Sequence, residues 1–123
     1  MYRGWGVTVQ KFETEYIEDA ELLVIDGAIS LGRDSEGALL FREVVEERKD
    51  GSTTRIEYSY HFIYRNQFLF RHDRDPDNHP EMPEHKHVSP GDDNRVASDR
   101  VTFSDVMDEA YAYVAELEGD GEE

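Results

Sequence analysis

All five histidines of the chain lie between residues 61 and 87. The same stretch contains Phe-Arg-His-Asp, at residues 70–73, and Pro-Glu-His-Lys-His, at residues 83–87. Imidazoles titrate near neutrality, and the neighbouring cations and carboxylate add charge. Such a set of side chains can transfer protons, bind an anion or ligate a metal, so we expect the functional site in this stretch.

RNA cleavage without a metal is one reaction that these residues could support. It needs a base for the 2′-hydroxyl, an acid for the leaving 5′ oxygen, and cations to stabilise the charge of the phosphorane. His85 and His87 could share the first two roles, and Asp73 could orient one of the imidazoles. Lys86 and Arg71 would supply positive charge. The pattern His-x-His places both imidazoles on one side only if that segment is extended.

A further group of residues is predicted to contact the substrate: Arg74, Tyr58, Tyr60, His61 and His72. Each candidate also has a structural interpretation. The tyrosines can be core residues with a hydroxyl handle, and the two histidines can fill sheet positions. Arg71 and Asp73 can form an ion pair that holds a hairpin together. Direct roles and structural roles both stay open at this point.

Two other classes of function compete with the metal-independent nuclease, which would need no cofactor. One is a divalent metal site whose nitrogen and oxygen ligands would come from His79, His85, His87 and Asp73. The other is a non-enzymatic module in which an aromatic sheet and a loop bind a protein partner. The nuclease hypothesis predicts RNA beside His85 and His87, whereas the binding hypothesis predicts that a protein covers them.

The chain is strongly acidic. Its 123 residues include 29 Asp plus Glu and 13 Lys plus Arg, for a net charge of -16. Ten of the basic residues are arginine and only three are lysine. Few lysines and many carboxylates are typical of halophilic proteins, whose surface charges are screened over roughly 3 Å at 1 M salt. A basic surface for nonspecific nucleic-acid binding is not indicated, although a local cluster of Arg71, Arg74 and Lys86 could hold one phosphate.

Length and composition limit the remaining possibilities. The chain suits one domain, which we place at residues 1–117, followed by an acidic, flexible tail at 118–123. The absence of cysteine excludes disulfides, thiolate catalysis and cysteine-ligated zinc. Apolar runs such as Leu22 to Ile25 are far shorter than the ~20 residues that span a bilayer. We therefore expect a cytoplasmic protein with no membrane partner.

The elements that must position these residues are mainly strands. The sequence predicts strands at Val7 to Phe12, Ala20 to Ile25 and Ala38 to Glu47, with Ala28 to Leu31 continuing the sheet and a turn at Asp26-Gly27. The clearest alternation places Thr54, Ile56, Tyr58, Tyr60, Phe62 and Tyr64 on one face of a strand, and Arg55, Glu57, Ser59 and His61 on the other. Phe68 to Asp73 returns beside it as the second strand of a hairpin.

The last third of the chain is predicted to be a loop and then a helix. Arg74 to Asp99 contains four prolines and no periodicity, which indicates a long irregular loop. Thr102 and Asp105 form a capping signal for a helix whose apolar stripe consists of Val106, Met107, Ala110, Val114 and Leu117. The predicted fold is α+β, an antiparallel sheet of about five strands with the C-terminal helix packed on one face.

The ordered motifs of the chain resemble the TumE family. They are Phe41 to Val44 (Phe-Arg-Glu-Val), Tyr58 to His61 (Tyr-Ser-Tyr-His), Phe70 to Asp73 (Phe-Arg-His-Asp), His79-Pro80, Pro83 to Val88 (Pro-Glu-His-Lys-His-Val) and the C-terminal helix. The resemblance covers roughly residues 21 to 117 and depends on the combination, since each short motif alone is weak. One departure from the pattern is Glu84, which stands where the family often has a histidine.

The resemblance implies the toxin component of a prokaryotic toxin-antitoxin pair. Its partner would be an antitoxin, usually a helix-turn-helix protein. Toxins of this size usually cleave RNA or block translation, so RNA is the implied target. A homodimer formed through aromatic sheet edges is a further possibility.

Overall fold

The computed structural model of the protein describes residues 6–32, 34, 36–78, 80–88 and 95–119. Its core is one antiparallel sheet in which seven strands follow one another in chain order. The strands are β1 (Gly6–Ile17), β2 (Leu22–Gly32), β3 (Gly37–Glu47), β4 (Thr53–Tyr64), β5 (Gln67–Arg74), β6 (Glu84–Val88) and β7 (Arg95–Ala97). A single helix, α1 (Phe103–Gly119), packs on one face of the described sheet. The predicted α+β class is confirmed, and the sheet has two more strands than the five expected.

The predicted turn at Asp26-Gly27 is wrong, because both residues lie in the middle of β2. The chain turns earlier, through a 3-10 helix at Glu18–Ala20 and a left-handed Glu21 with φ 53°. Glycine is needed at position 27 because of close packing, and not because the chain forms a turn there. A Cβ at this position would lie 2.2 Å from Cζ of Phe41, whose ring covers the glycine from the neighbouring strand.

The predicted alternation along β4 is confirmed at its centre. Tyr58, Tyr60, Phe62 and Tyr64 are all buried on the face that α1 covers. Arg55 differs from the prediction, because a bulge opposite Val44 and Val45 turns it to the same face as these aromatic residues. Its guanidinium lies 4.3 Å from the Tyr58 ring centroid and donates hydrogen bonds to the Tyr60 hydroxyl and the Val101 carbonyl.

The predicted irregular loop at Arg74 to Asp99 is also wrong over part of its length. β6 pairs with β5, and β7 pairs with β6, inside that range. Three of the four prolines precede Glu84 and the last is Pro90, so residues 84–89 contain none. The backbone amides of β6 are therefore free to join the ladder. The segment lacks an apolar period because its buried side chains are histidines.

The helix begins as its capping signal predicts. The backbone N–H of Asp105 donates to Thr102 Oγ1 at 3.1 Å, and the Thr102 N–H donates to the Asp105 carboxylate at 2.9 Å. Val106, Ala110 and Val114 of the predicted stripe are buried. The last stripe residue, Leu117, is instead 50% exposed. No described helix is both long enough and apolar enough to cross a membrane.

Candidate functional site

Strand register brings four of the predicted catalytic residues to the sheet face opposite α1, which we call the open face. In β5 and β6, Arg71 pairs with His87 and Asp73 pairs with His85. Because alternate residues of a strand point to opposite faces, His85 and His87 share a face once β6 is extended. These four residues, Arg71, Asp73, His85 and His87, form what we call the open-face centre.

The open-face centre converges on a single carboxylate oxygen. Asp73 Oδ2 accepts a hydrogen bond from Arg71 Nε at 2.9 Å. The same oxygen lies 3.2 Å from His87 Nε2 and 3.5 Å from His85 Nε2. The two imidazole rings meet edge to face, with centroids 4.9 Å apart. All four groups therefore act on one another directly, without a bridging residue.

Two contacts determine where protons lie on the imidazoles. His85 Nδ1 is 3.1 Å from the carbonyl oxygen of Met82, and since a carbonyl only accepts, Nδ1 carries the hydrogen. Arg71 Nη2 lies 3.0 Å from His87 Nε2, and a guanidinium only donates, so this nitrogen is the acceptor. The single lone pair of His87 Nε2 therefore faces the guanidinium, and this nitrogen has no hydrogen to donate to Asp73, 3.2 Å away.

The centre is buried but lies beside an opening. His85 and His87 are 2% and 5% exposed, whereas the Arg71 side chain is 27% exposed. A cleft of ≈ 170 Å³ begins at Arg71 and Asp73. Its lining residues are Arg42, Val44, Glu57, Tyr58, Ser59, Arg71, Asp73, Arg74 and Asp75. A ligand in the cleft would meet the arginine and the carboxylate before it met the imidazoles.

The charge of the cleft differs from that of the chain. Three arginines and three carboxylates line it, so its formal charge balances. The chain as a whole carries 29 carboxylates against 13 basic side chains. Arg42 is the most accessible of the three cations, with 58% of its side chain exposed and a 3.4 Å contact to Asp26. An anion in the cleft thus meets less repulsion than the net charge of the chain would suggest.

Lys86 and His72 lie on the opposite, helix-covered face. They pair with each other across β5 and β6, and both bind Glu109 of α1. His72 Nε2 is 2.8 Å from Glu109 Oε1, and the Lys86 ammonium donates to Oε2. We call these three residues the helix-face cluster. The sheet separates it from the open-face centre, so the structure does not bring Lys86 to His85 and His87.

The helix-face cluster changes the titration of its carboxylate. Burial alone would raise the pKa of Glu109, but the hydrogen bonds from His72 and Lys86 outweigh burial and lower that pKa. Glu109 is thus an ionised partner for two donors. The sequence offered no signal for this role, because the residue lies thirty-seven positions from His72.

The remaining predicted residues are placed separately. Tyr58 and Tyr60 are buried in the core on the helix side, and the Val101 N–H donates to the Tyr58 hydroxyl. His61 lies on the open face, opposite Arg71, with its ring 5.5 Å from that of Phe68. Arg74 donates to Glu84 at 2.8 Å. His79, predicted as a metal ligand, lies outside the described residues.

Three residues could hold a metal ion. One ligand atom from each of Asp73, His85 and His87 lies within 4.8 Å of the others. This is the predicted alternative ligand set without His79. Two further residues of the site were not predicted, namely Met82, whose carbonyl orients His85, and Arg42, which lines the cleft. Arg42 belongs to the Phe-Arg-Glu-Val motif, and that motif was the available signal.

Comparison with known proteins identifies a family. A family model described as toxin TumE matches residues 7–118, which is most of the chain. No curated protein and no solved structure matches the chain.

Proposed function

The chain belongs to the TumE toxin family, and we propose that it acts as an RNA-cleaving toxin through the open-face centre and the adjoining cleft. Family membership makes it the toxin component of a toxin-antitoxin system, with an antitoxin as its partner. The RNA target, the reaction and the residues are our proposal. It rests on one observation, the convergence of Arg71, His85 and His87 on the Asp73 carboxylate beside a charge-balanced cleft.

The cleft is the proposed phosphate site. Arg71 and Arg42 line it, and planar guanidinium groups bind phosphate oxygens through paired hydrogen bonds. Arg71 belongs to both the centre and the cleft, because it contacts Asp73 and His87 and also lines the cleft. A phosphate held by Arg71 would therefore lie next to the groups that transfer the proton.

The centre acts in this proposal as one unit that accepts a proton. The O2′–P bond forms while the P–O5′ bond breaks, the 2′ proton passes to the centre, and the departing 5′ oxygen takes a proton from water. The expected product ends are a 2′,3′-cyclic phosphate and a 5′-hydroxyl. Separate acid and base roles for His85 and His87 are disfavoured, because both Nε2 atoms lie within 3.5 Å of one oxygen and leave no room for a phosphate between them.

Lys86 has no place in this mechanism. Its ammonium binds Glu109 on the face that α1 covers, so the charge that it was predicted to supply comes from Arg71 and Arg42 instead. Tyr58 and Tyr60 are likewise too deeply buried, at 4% and 0% exposure, to stack on RNA bases.

The strong negative charge bears on where the toxin works. We propose a cytoplasmic site of action in a salt-rich cell, where screening over roughly 3 Å at 1 M salt lets an anionic RNA approach a chain of charge -16. For the partner we propose a helix-turn-helix antitoxin. RNA cleavage by the purified protein should therefore persist at salt concentrations that stop ordinary basic nucleases.

The test is inducible expression in a haloarchaeal host, with growth and total RNA integrity followed together. We compare wild type with His87→Asn, which removes the acceptor nitrogen beside Arg71. Lys86→Met is the matched control, since it alters the next residue of the same strand on the opposite face. Growth arrest with RNA cleavage in wild type and in Lys86→Met, but not in His87→Asn, supports the proposal.

Two results would overturn it. Arrest by wild type with intact RNA would indicate a toxin with another target. Loss of activity in Lys86→Met, with the variant folded and His87→Asn active, would place the reaction on the helix side. Circular dichroism of both purified variants establishes that they are folded.

A further inference from the structure

We infer that the Asp73 carboxylate, His85 Nε2 and His87 Nε2 form a binding site for a divalent transition-metal ion. The site is a second state of the centre used by the proposed nuclease, since an ion bound to these atoms leaves them unable to accept the 2′ proton. Its catalytic use still rests on that proposed function. Its existence rests on geometry alone. Three observations carry it, namely donor spacing, proton positions and the placement of Arg71.

The donor atoms are spaced as metal ligands are. Two ligands about 2.1 Å from a tetrahedral ion lie roughly 3.4 Å apart. Asp73 Oδ2 is 3.5 Å from His85 Nε2 and 3.2 Å from His87 Nε2. The three donors lie within 4.8 Å of one another, so only the third separation has to shorten. Closing the set also requires the Arg71 guanidinium to leave His87 Nε2, which it contacts at 3.0 Å.

Proton positions leave the ligand atoms with lone pairs. The Met82 carbonyl fixes one hydrogen of His85 on Nδ1, so Nε2, 3.5 Å from Asp73 Oδ2, is the ring nitrogen whose lone pair a metal ion can bind. A backbone carbonyl on the far nitrogen is the usual outer partner of a metal-binding histidine. Asp73 Oδ1 is also buried, and no described residue donates a hydrogen bond to it. An ion could therefore be bound by either carboxylate oxygen.

The contacts of His87 point to a cation. Its Nε2 accepts from Arg71 Nη2 at 3.0 Å, so in that state it cannot also donate to Asp73, 3.2 Å away. The guanidinium holds the imidazole and the carboxylate together because it is positive. A divalent ion between them would take over this role and bind both lone pairs directly. Arg71 would then turn into the cleft, where its side chain is already 27% exposed.

Two imidazole nitrogens and one carboxylate suit zinc, nickel or manganese better than magnesium or calcium, which prefer oxygen ligands. The remaining coordination positions would be open to water or to a phosphate oxygen. Bound there, the ion would supply a Lewis acid and lower the pKa of a bound water. The released Arg71 would be the second positive group on the same phosphate.

The test measures Zn²⁺ affinity of the full chain by competition with a chromophoric chelator, with Mg²⁺ as the comparison ion. We expect one Zn²⁺ per chain. Asp73→Asn and His87→Gln should each weaken binding by more than the roughly 10- to 100-fold that loss of an outer partner costs. His72→Gln is the matched control, a second buried histidine of the same sheet on the other face. It should leave the affinity unchanged.

The Zn²⁺ affinity of Arg71→Gln distinguishes a metal site from a centre that has only a structural role. Removing the competing positive charge should tighten Zn²⁺ binding by at least about tenfold. The inference is overturned if wild type binds no Zn²⁺, if Asp73→Asn and His87→Gln bind as tightly as wild type, or if Arg71→Gln binds more weakly.

RNA cleavage after chelator treatment separates this inference from the proposed function. Cleavage by protein that binds no Zn²⁺ would refute the metal site and leave the nuclease intact. Tight Zn²⁺ binding that depends on Asp73 and His87, without RNA cleavage under any metal loading, would refute the nuclease and leave the site.

Discussion

The two faces of strands β5 and β6 carry polar clusters of opposite design. On the helix-covered face, Glu109 gives one carboxylate oxygen to His72 and the other to Lys86. On the open face, a guanidinium and two imidazoles converge on one oxygen of Asp73. The strand residues of both clusters come from the five residue pairs that join β5 to β6, and they alternate between the two faces along each strand.

The difference shows what each cluster is suited to do. Each oxygen of the Glu109 carboxylate has one hydrogen-bond partner, so this carboxylate has a structural role and connects the sheet to the helix. On the open face two ring nitrogens and a guanidinium lie within 3.5 Å of one carboxylate oxygen, so this oxygen is crowded by more groups than a structural ion pair needs, as expected of a site that moves a proton or takes a cation. We therefore expect changes on the helix face to affect stability and changes on the open face to affect activity.

The largest expected effect is that of Asp73→Asn on RNA cleavage. Loss of the carboxylate should lower the cleavage rate about 10²- to 10⁴-fold, because Arg71, which contacts His87 and lines the cleft, loses the charged partner that positions it. The melting temperature should stay the same or rise, since functional sites commonly trade stability for activity. Rates per folded molecule and thermal unfolding measure the two effects. A large fall in melting temperature with an unchanged rate would reverse the assignment of the two faces.

Glu109→Gln should have the opposite pattern. The free energy of unfolding should fall by about 1–3 kcal/mol, because Lys86 loses its charged partner in a partly buried place. The cleavage rate per folded molecule should not change. Urea unfolding is the measurement, and Glu116→Gln, an exposed change on the same helix, is the control. Equal loss of stability in both variants would mean that the cluster contributes nothing specific.

The same carboxylate predicts a pH dependence of stability. The pKa of Glu109 is lowered in the folded protein from its ordinary value of 4.5, so its contribution is complete above that value. The contribution is lost as the pH falls from there through the folded-state pKa. Wild type should therefore lose more stability than Glu109→Gln as the pH falls below 4.5. Parallel curves for the two proteins would contradict this assignment.

A double-mutant cycle between Lys86→Met and Glu109→Gln should show a coupling of about 0.5–1.5 kcal/mol. The two groups are in direct contact and only a quarter exposed, so their interaction is less screened than a surface pair. The cycle is measured by urea unfolding. If the losses of unfolding free energy in the two single variants were additive, Lys86 would not be energetically coupled to Glu109.

The smallest expected effect is that of Arg42→Gln on RNA binding. Its side chain is 58% exposed at the cleft, so we expect a loss of only a few-fold in affinity. The slope of log affinity against log salt should fall by about 1, as for loss of one phosphate contact. Binding titrations of a short RNA at several salt concentrations measure both. An unchanged slope would exclude Arg42 from the phosphate site.

Much of the fold could be predicted from local pattern. Alternation identified the aromatic face of β4, and the Thr102 and Asp105 pair located the start of the helix. The strand β6 could not be predicted from hydrophobicity, because its buried side chains are His85 and His87. The role of Gly27 was misassigned for a similar reason. A glycine signals a turn locally, and only the Phe41 ring shows that it is needed for packing.

The candidate site could be predicted in part. Residue types placed Arg71, Asp73, His85 and His87 in one candidate site, and three of these residues were already part of the alternative metal-ligand set. The assignment of Lys86 to that site assumed that its side chain lies on the same face of the sheet as His85 and His87. Glu109 and the carbonyl of Met82 were beyond reach, since distant or backbone partners leave no local trace in sequence.

The sequence by itself determined the chemistry that is available, the acidic surface, the α+β class and the alternation that separates odd from even residues along each strand. Only the tertiary structure decided which of the two sets of alternating side chains is covered by the helix and which lies beside the cleft. The physical reason is that strand periodicity assigns residues to two faces without saying what covers each one. The register between β5 and β6 and the packing of α1 supply that information, and they place Lys86 with Glu109 and leave His87 with Asp73.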